Sequence, residues 1–156
     1  MDETFSVKMT EAMVVACKRY SGDAQVVSKT FLDVAEWLKH REMAMAPWIG
    51  VYDDGRDPES YVDPETRQMH GEVWIPFSGE ARGDATVEVR RIEPQRVAAA
   101  IHRGDTSHVG ETVRALKRWV RSQGLRPAPC HRQIYLKAVP GRPDESQTEV
   151  QVPLKS

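Results

Sequence analysis

Two stretches of the chain carry the same hydrophobic period. Val27, Phe31, Val34 and Leu38 stand at i, i+4, i+7 and i+11, and Val109, Val113, Leu116 and Val120 repeat those intervals. Each set makes one apolar stripe on a helix. Glu36, Lys39 and His40 fall on the wet face of the first, and Arg114, Lys117, Arg118 and Arg121 on that of the second. Asp23 and Asp105 are placed to cap the helix starts, and Gly22 and Gly104 just before them can take a positive φ. Gly124, followed by Pro127 and Pro129, ends the second helix. Short runs of β-branched and aromatic residues predict strands at 5–9, 14–20, 49–53 and 72–77, then at 85–92, 97–102, 132–137 and 149–154. The Gly-, Pro-, Asp- and Ser-rich stretches 54–70 and 139–148 read as loops, the first long enough to border a binding mouth. With no parallel crossover pattern, the expected class is α+β: an antiparallel sheet with two helices on one face and a groove between them.

The two halves also match residue by residue. Gly22-Asp23 and Trp37 recur as Gly104-Asp105 and Trp119 at one fixed offset, which the apolar stripes share. Further on the register slips, yet Glu72-Val73-x-Ile75-Pro76-Phe77 is matched by Glu149-Val150-x-Val152-Pro153-Leu154. The expectation is one domain over 1–156, built from duplicated strand–helix–strand–strand units at about 5–78 and 85–155. Two like units packed about a pseudo-twofold axis leave a cleft, and clefts take ligands.

Composition narrows the partners. A net charge of −1 exerts no global pull on nucleic acid or anionic membrane. No apolar run approaches the ~20 residues of a bilayer span, and the polar, acidic N-terminus lacks a signal pattern. Cys17 and Cys130 occupy non-equivalent positions, which favours free thiols and the cytosol. His40, His70, His102, His108 and His131 lack metal-ligand spacing, and there is no glycine-rich phosphate loop, so neither metal nor cofactor is expected.

Strand alternation nominates the site. If Val73 and Ile75 face the helices, Glu72 and Trp74 face away, and the same rule sends Gln133 and Tyr135, Glu149 and Gln151, and Gly50 and Tyr52 to that opposite face. Three aromatics, two acids and two amides gathered on one face suit a planar or cationic organic ligand. Trp48, clustered with Met43 and Met45, belongs at the core or the cleft rim, and His102, at a strand end, is within reach of the cleft. Trp37 and Trp119, beside the stripes, read as packing residues.

A string of spaced positions carries a family resemblance: Arg96-Val97-Ala98, His102-Arg103-Gly104, Leu116, Trp119, Gly124-Leu125-x-Pro127, Arg132-x-Ile134-Tyr135-Leu136 and Thr148-Glu149-Val150-x-Val152-Pro153. The chain resembles the GyrI-like, AraC-type effector-binding domains from about residue 5 to 154. The resemblance implies a duplicated fold with a central groove. In multidrug-responsive transcription regulators such a domain senses lipophilic, often cationic compounds. Stand-alone members are linked to gyrase inhibition or toxin protection, and one branch is similar to hydrolases of cyclopropane-type alkylating agents. The chain departs from the pattern in two respects. No helix-turn-helix segment accompanies the domain, so a stand-alone protein is expected. Gln133 stands where many ligand-sensing members carry an acid, so a preference for cations would rest on Glu72 or Glu149.

Three functions follow in order. The first is binding of a lipophilic or aromatic small molecule by Tyr52, Trp74 and Tyr135, oriented by Glu72, Gln133 and Glu149, with Gln151, Trp48 and His102 nearby. The second is hydrolysis in the same cleft, with Glu72 or Glu149 activating water. The third is a gyrase-inhibitor-like or regulator-binding module using acidic loop residues Asp53, Asp54 and Asp57, as monomer or homodimer.

Overall fold

A computed structural model describes residues 4–55, 60–138 and 141–156. Strands β1 (Ser6–Met9) and β2 (Met13–Gly22) lead into helix α1 (Ala24–His40), followed by β3 (Ala44–Met45), β4 (Ile49–Asp53) and β5 (Met69–Ser78). The second half runs β6 (Glu88–Ile92), β7 (Arg96–Arg103), α2 (Val109–Ser122), β8 (Cys130–Lys137) and β9 (Gln147–Pro153). All strand pairs are antiparallel, in the order β1-β7-β9-β8-β4-β5-β2-β6, with β3 added beside β5. This α+β architecture, an antiparallel sheet with two helices, is the class expected from the periodicity.

The order is symmetric about the central β4–β8 pair, and its two edges are exchanged. β1, at the start of the chain, pairs with β7 of the second half, while β6 returns to pair with β2 of the first. Each half therefore completes its sheet with a strand from the other.

Both helices lie on one face, α1 over β2 and β5 and α2 over β7 and β9. The α1 stripe packs on Ala16, Val73 and Ile75, and the α2 stripe on Ala98, Ala100, Val150 and Val152. All eight stripe residues are buried. Burying each such side chain contributes about 1.5–3 kcal/mol, far more than helix propensity does. Asp23 caps α1 by accepting from the amides of Gln25 and Val26 at 3.1 and 3.2 Å. Asp105 instead caps the 3₁₀ turn Thr106–His108 that enters α2. Gly104, at φ +113°, turns β7 into that segment, a conformation open to glycine at no steric cost.

One wet-face expectation is overturned. Lys117 is 1% exposed and pairs with Asp54, which follows β4. Its ammonium sits between α2 and the sheet, where the carboxylate offsets the cost of burial.

Candidate functional site

The helices cover the flanking strands but leave β4 and β8 uncovered, and a pocket of about 890 Å³ opens there. Its walls come from α1 (Val27, Phe31, Leu32), the segment leading to β4 (Pro47, Trp48) and the start of α2 (Val109). Its floor is Tyr52, Gln133, Tyr135 and Thr148 on the sheet, with Tyr61 closing one side. Phe31 stacks on Trp48 with centroids 5.1 Å apart and meets Tyr135 edge-on at 6.0 Å. Tyr61 packs against Tyr52 at 5.2 Å and His131 at 4.6 Å.

Two tyrosines meet at the centre of the floor. Gly50 and Gln133 are paired across β4 and β8, and Tyr52 and Tyr135 each stand two residues further along their strands. Their hydroxyls approach to 2.5 Å. Gly50 makes room for this, because a Cβ there would lie 2.7 Å from the Tyr52 ring. Tyr135 donates to Gln133 Oε1 at 3.1 Å, so its single proton is committed and Tyr52 is the donor between the two tyrosines. The Gln133 amide then donates to His131 Nε2 at 3.0 Å, which leaves the imidazole proton on Nδ1.

Burial keeps this network neutral. It pushes the Tyr52 hydroxyl up to about 12 and Tyr135 well above the usual tyrosine value. Burial first, and the Lys117 charge second, hold His131 down to about 3. Among the described lining residues there is no carboxylate; Lys137 is the one residue of full charge.

The seven side chains expected on one face are divided between two. Tyr52, Gln133 and Tyr135, with Trp48 beside them, line the pocket on the helix side. Glu72, Trp74, Glu149 and Gln151 lie on the opposite face, and none of them lines the pocket. Trp74 packs there with Val15, Cys17, Ile49 and Val51, under the Arg132 guanidinium 4.9 Å from its ring. Glu72 is held by Arg90 at 2.6 Å, Arg19 at 3.6 Å and the Trp74 indole at 3.1 Å. Glu149 is held by Lys8 at 2.8 Å and by Gln151. Both acids are paired with bases on the face of the sheet away from the pocket. His102 is likewise absent from the pocket: it ties β7 to α2 through Thr112 at 2.8 Å and the Asp105 carbonyl at 2.9 Å.

The division follows from the phase of the central strands. Ile49, Val51 and Ile134 look as if they should face the helices because they are apolar. With no helix above β4 and β8, their apolar sides turn to the opposite face and their aromatic and amide sides turn to the pocket. Phe31 serves both the α1 stripe and the pocket, and His131 joins the network beneath it; neither carries a signal for that role in the sequence. Tyr61 had a weak signal in the long loop expected to border a mouth. Of the acidic loop residues, Asp54 is engaged by Lys117 and Asp53 lies 3.7 Å from Arg19. Asp57 lies outside the described residues.

An antiparallel sheet carrying two helices on one face, with an aromatic pocket between them, is the architecture that the chain presents. Over residues 3–155 the sequence matches the GyrI-like small-molecule-binding domain, and the chain belongs to that family. No curated protein matches it significantly. The fold is similar to the C-terminal domain of EcmrR, at 15% identity and a TM-score of 0.82, covering 100% of this chain and 99% of that one. It is also similar to a hydrolase encoded by lin2189 from Listeria innocua, at 14% identity and a TM-score of 0.67, covering 97% and 91%. A third relative in fold, SAV2435, was solved bound to tetraphenylphosphonium; identity is 10%, the TM-score 0.58, and coverage 98% and 94%.

Proposed function

We propose that this protein binds planar, lipophilic small molecules in the pocket between its helices, without turning them over, as a cytoplasmic drug- or toxin-binding member of its family. The observation that carries the reading is the aromatic enclosure of Phe31, Trp48, Tyr52, Tyr61 and Tyr135 around about 890 Å³, a volume suited to a drug-sized ligand. Stacking between such rings favours flat ligands, each well-placed aromatic pair adding about 0.5–1.5 kcal/mol beyond the area buried. Tetraphenylphosphonium, the ligand of SAV2435, is lipophilic and aromatic, which agrees with the lipophilic part of that class; its four rings are arranged tetrahedrally, so it carries no argument for flatness. Both cysteines are free, in keeping with a reducing compartment, and no helix among the described residues is long and apolar enough to cross a membrane. The symmetric strand order supports an origin by internal duplication.

The test is a thermal-shift screen of planar lipophilic compounds, cationic and neutral. Hits should raise Tm by several degrees, and Trp48→Ala should abolish the shift. A screen in which no compound moves Tm, with the protein folded throughout, would remove the basis of this reading.

A further inference from the structure

We propose that the pocket is polarised along its length and takes an aromatic amphiphile with an anionic head, such as a carboxylate or sulfonate. The inference rests on the binding function above and specifies its ligand class. Along α1 and the segment leading to β4 the lining is Phe31, Trp48 and aliphatic carbon, with one hydroxyl, Ser28. At the α2 end it is Thr106, Ser146, Thr148 and Lys137. Strand register brings three of these together: Lys137 pairs with Gln147, which lies between Ser146 and Thr148. The amide of Gly104, two residues before Thr106, donates to the Ser146 carbonyl at 2.8 Å.

Two observations at that end point to a missing acceptor or anion. Thr148 is 1% exposed and lines the pocket, yet its hydroxyl has no hydrogen-bond partner in the structure. A buried hydroxyl left unpaired carries a desolvation cost that a ligand oxygen reaching it from the pocket would offset. Lys137, on the rim, forms no ion pair with any described acid. Val109 adds the first residue of α2, where the helix field also favours negative charge, and Asp105, the acid capping the preceding 3₁₀ turn, is not among the described lining residues. A cation would find no carboxylate among the described lining residues and would meet the Lys137 ammonium. The neutral tyrosine floor accepts an aromatic body of either charge, so the head group decides.

A matched pair of dyes tests this. N-phenyl-1-naphthylamine is neutral, and 8-anilinonaphthalene-1-sulfonate is the same ring system carrying a sulfonate. In fluorescence titrations both should bind the wild type and both should be lost in Trp48→Ala, with the sulfonate binding at least fivefold tighter at low salt. That gain should shrink as ionic strength rises. The ratio of sulfonate to neutral-dye affinity should fall to about one in Lys137→Gln and severalfold in Thr148→Val, whatever either substitution does to the binding of both dyes alike. Equal or weaker binding of the sulfonate, or a gain that survives both substitutions, would overturn the polarised pocket and leave aromatic binding intact. Binding of neither dye to the folded protein would count against the pocket as an aromatic site altogether.

Discussion

His131 is fully buried, stacked on Tyr52 with ring centroids 5.3 Å apart, and its Nδ1 has no partner in the structure. In the unfolded chain its imidazole takes a proton near pH 6.5, whereas in the folded protein burial and Lys117 delay protonation to about pH 3. Between those values the unfolded state binds one more proton than the folded state, so stability declines as pH falls through that window. The expected loss is about 1 kcal/mol per pH unit below 6.5. Urea titrations between pH 7 and 5 should record it, and His131→Gln should flatten the profile over that range. A wild-type profile with no decline there would mean that His131 is protonated in the folded state, which the neutral network around Gln133 does not permit.

At the scale of the strand, the phase of alternation decides which residues can touch a ligand. Glu72, on β5, faces away from the pocket and is engaged by Arg90 and Arg19. Glu72→Gln should therefore leave the affinity of a pocket ligand within about twofold. Stability should drop by roughly 1–3 kcal/mol, because a charge-assisted hydrogen bond to Arg90 is weakened in a partly buried setting. Calorimetric titration beside a denaturation curve separates the two effects, and a tenfold loss of affinity would place Glu72 in contact with the ligand. The helices were legible in the sequence because their stripes bury against sheet strands and nothing competes with that requirement. The repeated Glu-Val-x-[Ile/Val]-Pro was legible as strand for the same reason, since Val73 and Val150 face α1 and α2. The faces of β4 and β8 were not legible. Apolar residues mark a helix-covered face only where a helix lies above them, and the gap between α1 and α2 is a tertiary fact. Lys117 escaped for a related reason: its burial depends on Asp54, which is distant in sequence.

The exchange of β1 and β6 sets the behaviour of the whole molecule. β2 is flanked by β5 and β6, and β7 by β9 and β1, so each half holds an edge strand of the other. Loss of one half would uncover a strand edge and part of the core in the other. The two halves should therefore unfold together. Native-state hydrogen exchange should give the same opening free energy for core amides of β2 and β7, within about 1 kcal/mol, as expected for one cooperative unit. A first half that opened several kcal/mol before the second would show that the exchanged strands do not couple them.

Of the four tryptophans, Trp48 lines the pocket, Trp74 lies beneath Arg132 on the opposite face, Trp37 donates to Asp84 at 2.9 Å, and Trp119 packs on Phe5. The molecule thus carries a built-in optical gauge. A ligand that stacks on Trp48 will quench one emitter of four, whereas unfolding will alter all four at once. Occupancy of the pocket and loss of the frame can then be read in one cuvette from the protein's own light, without any label.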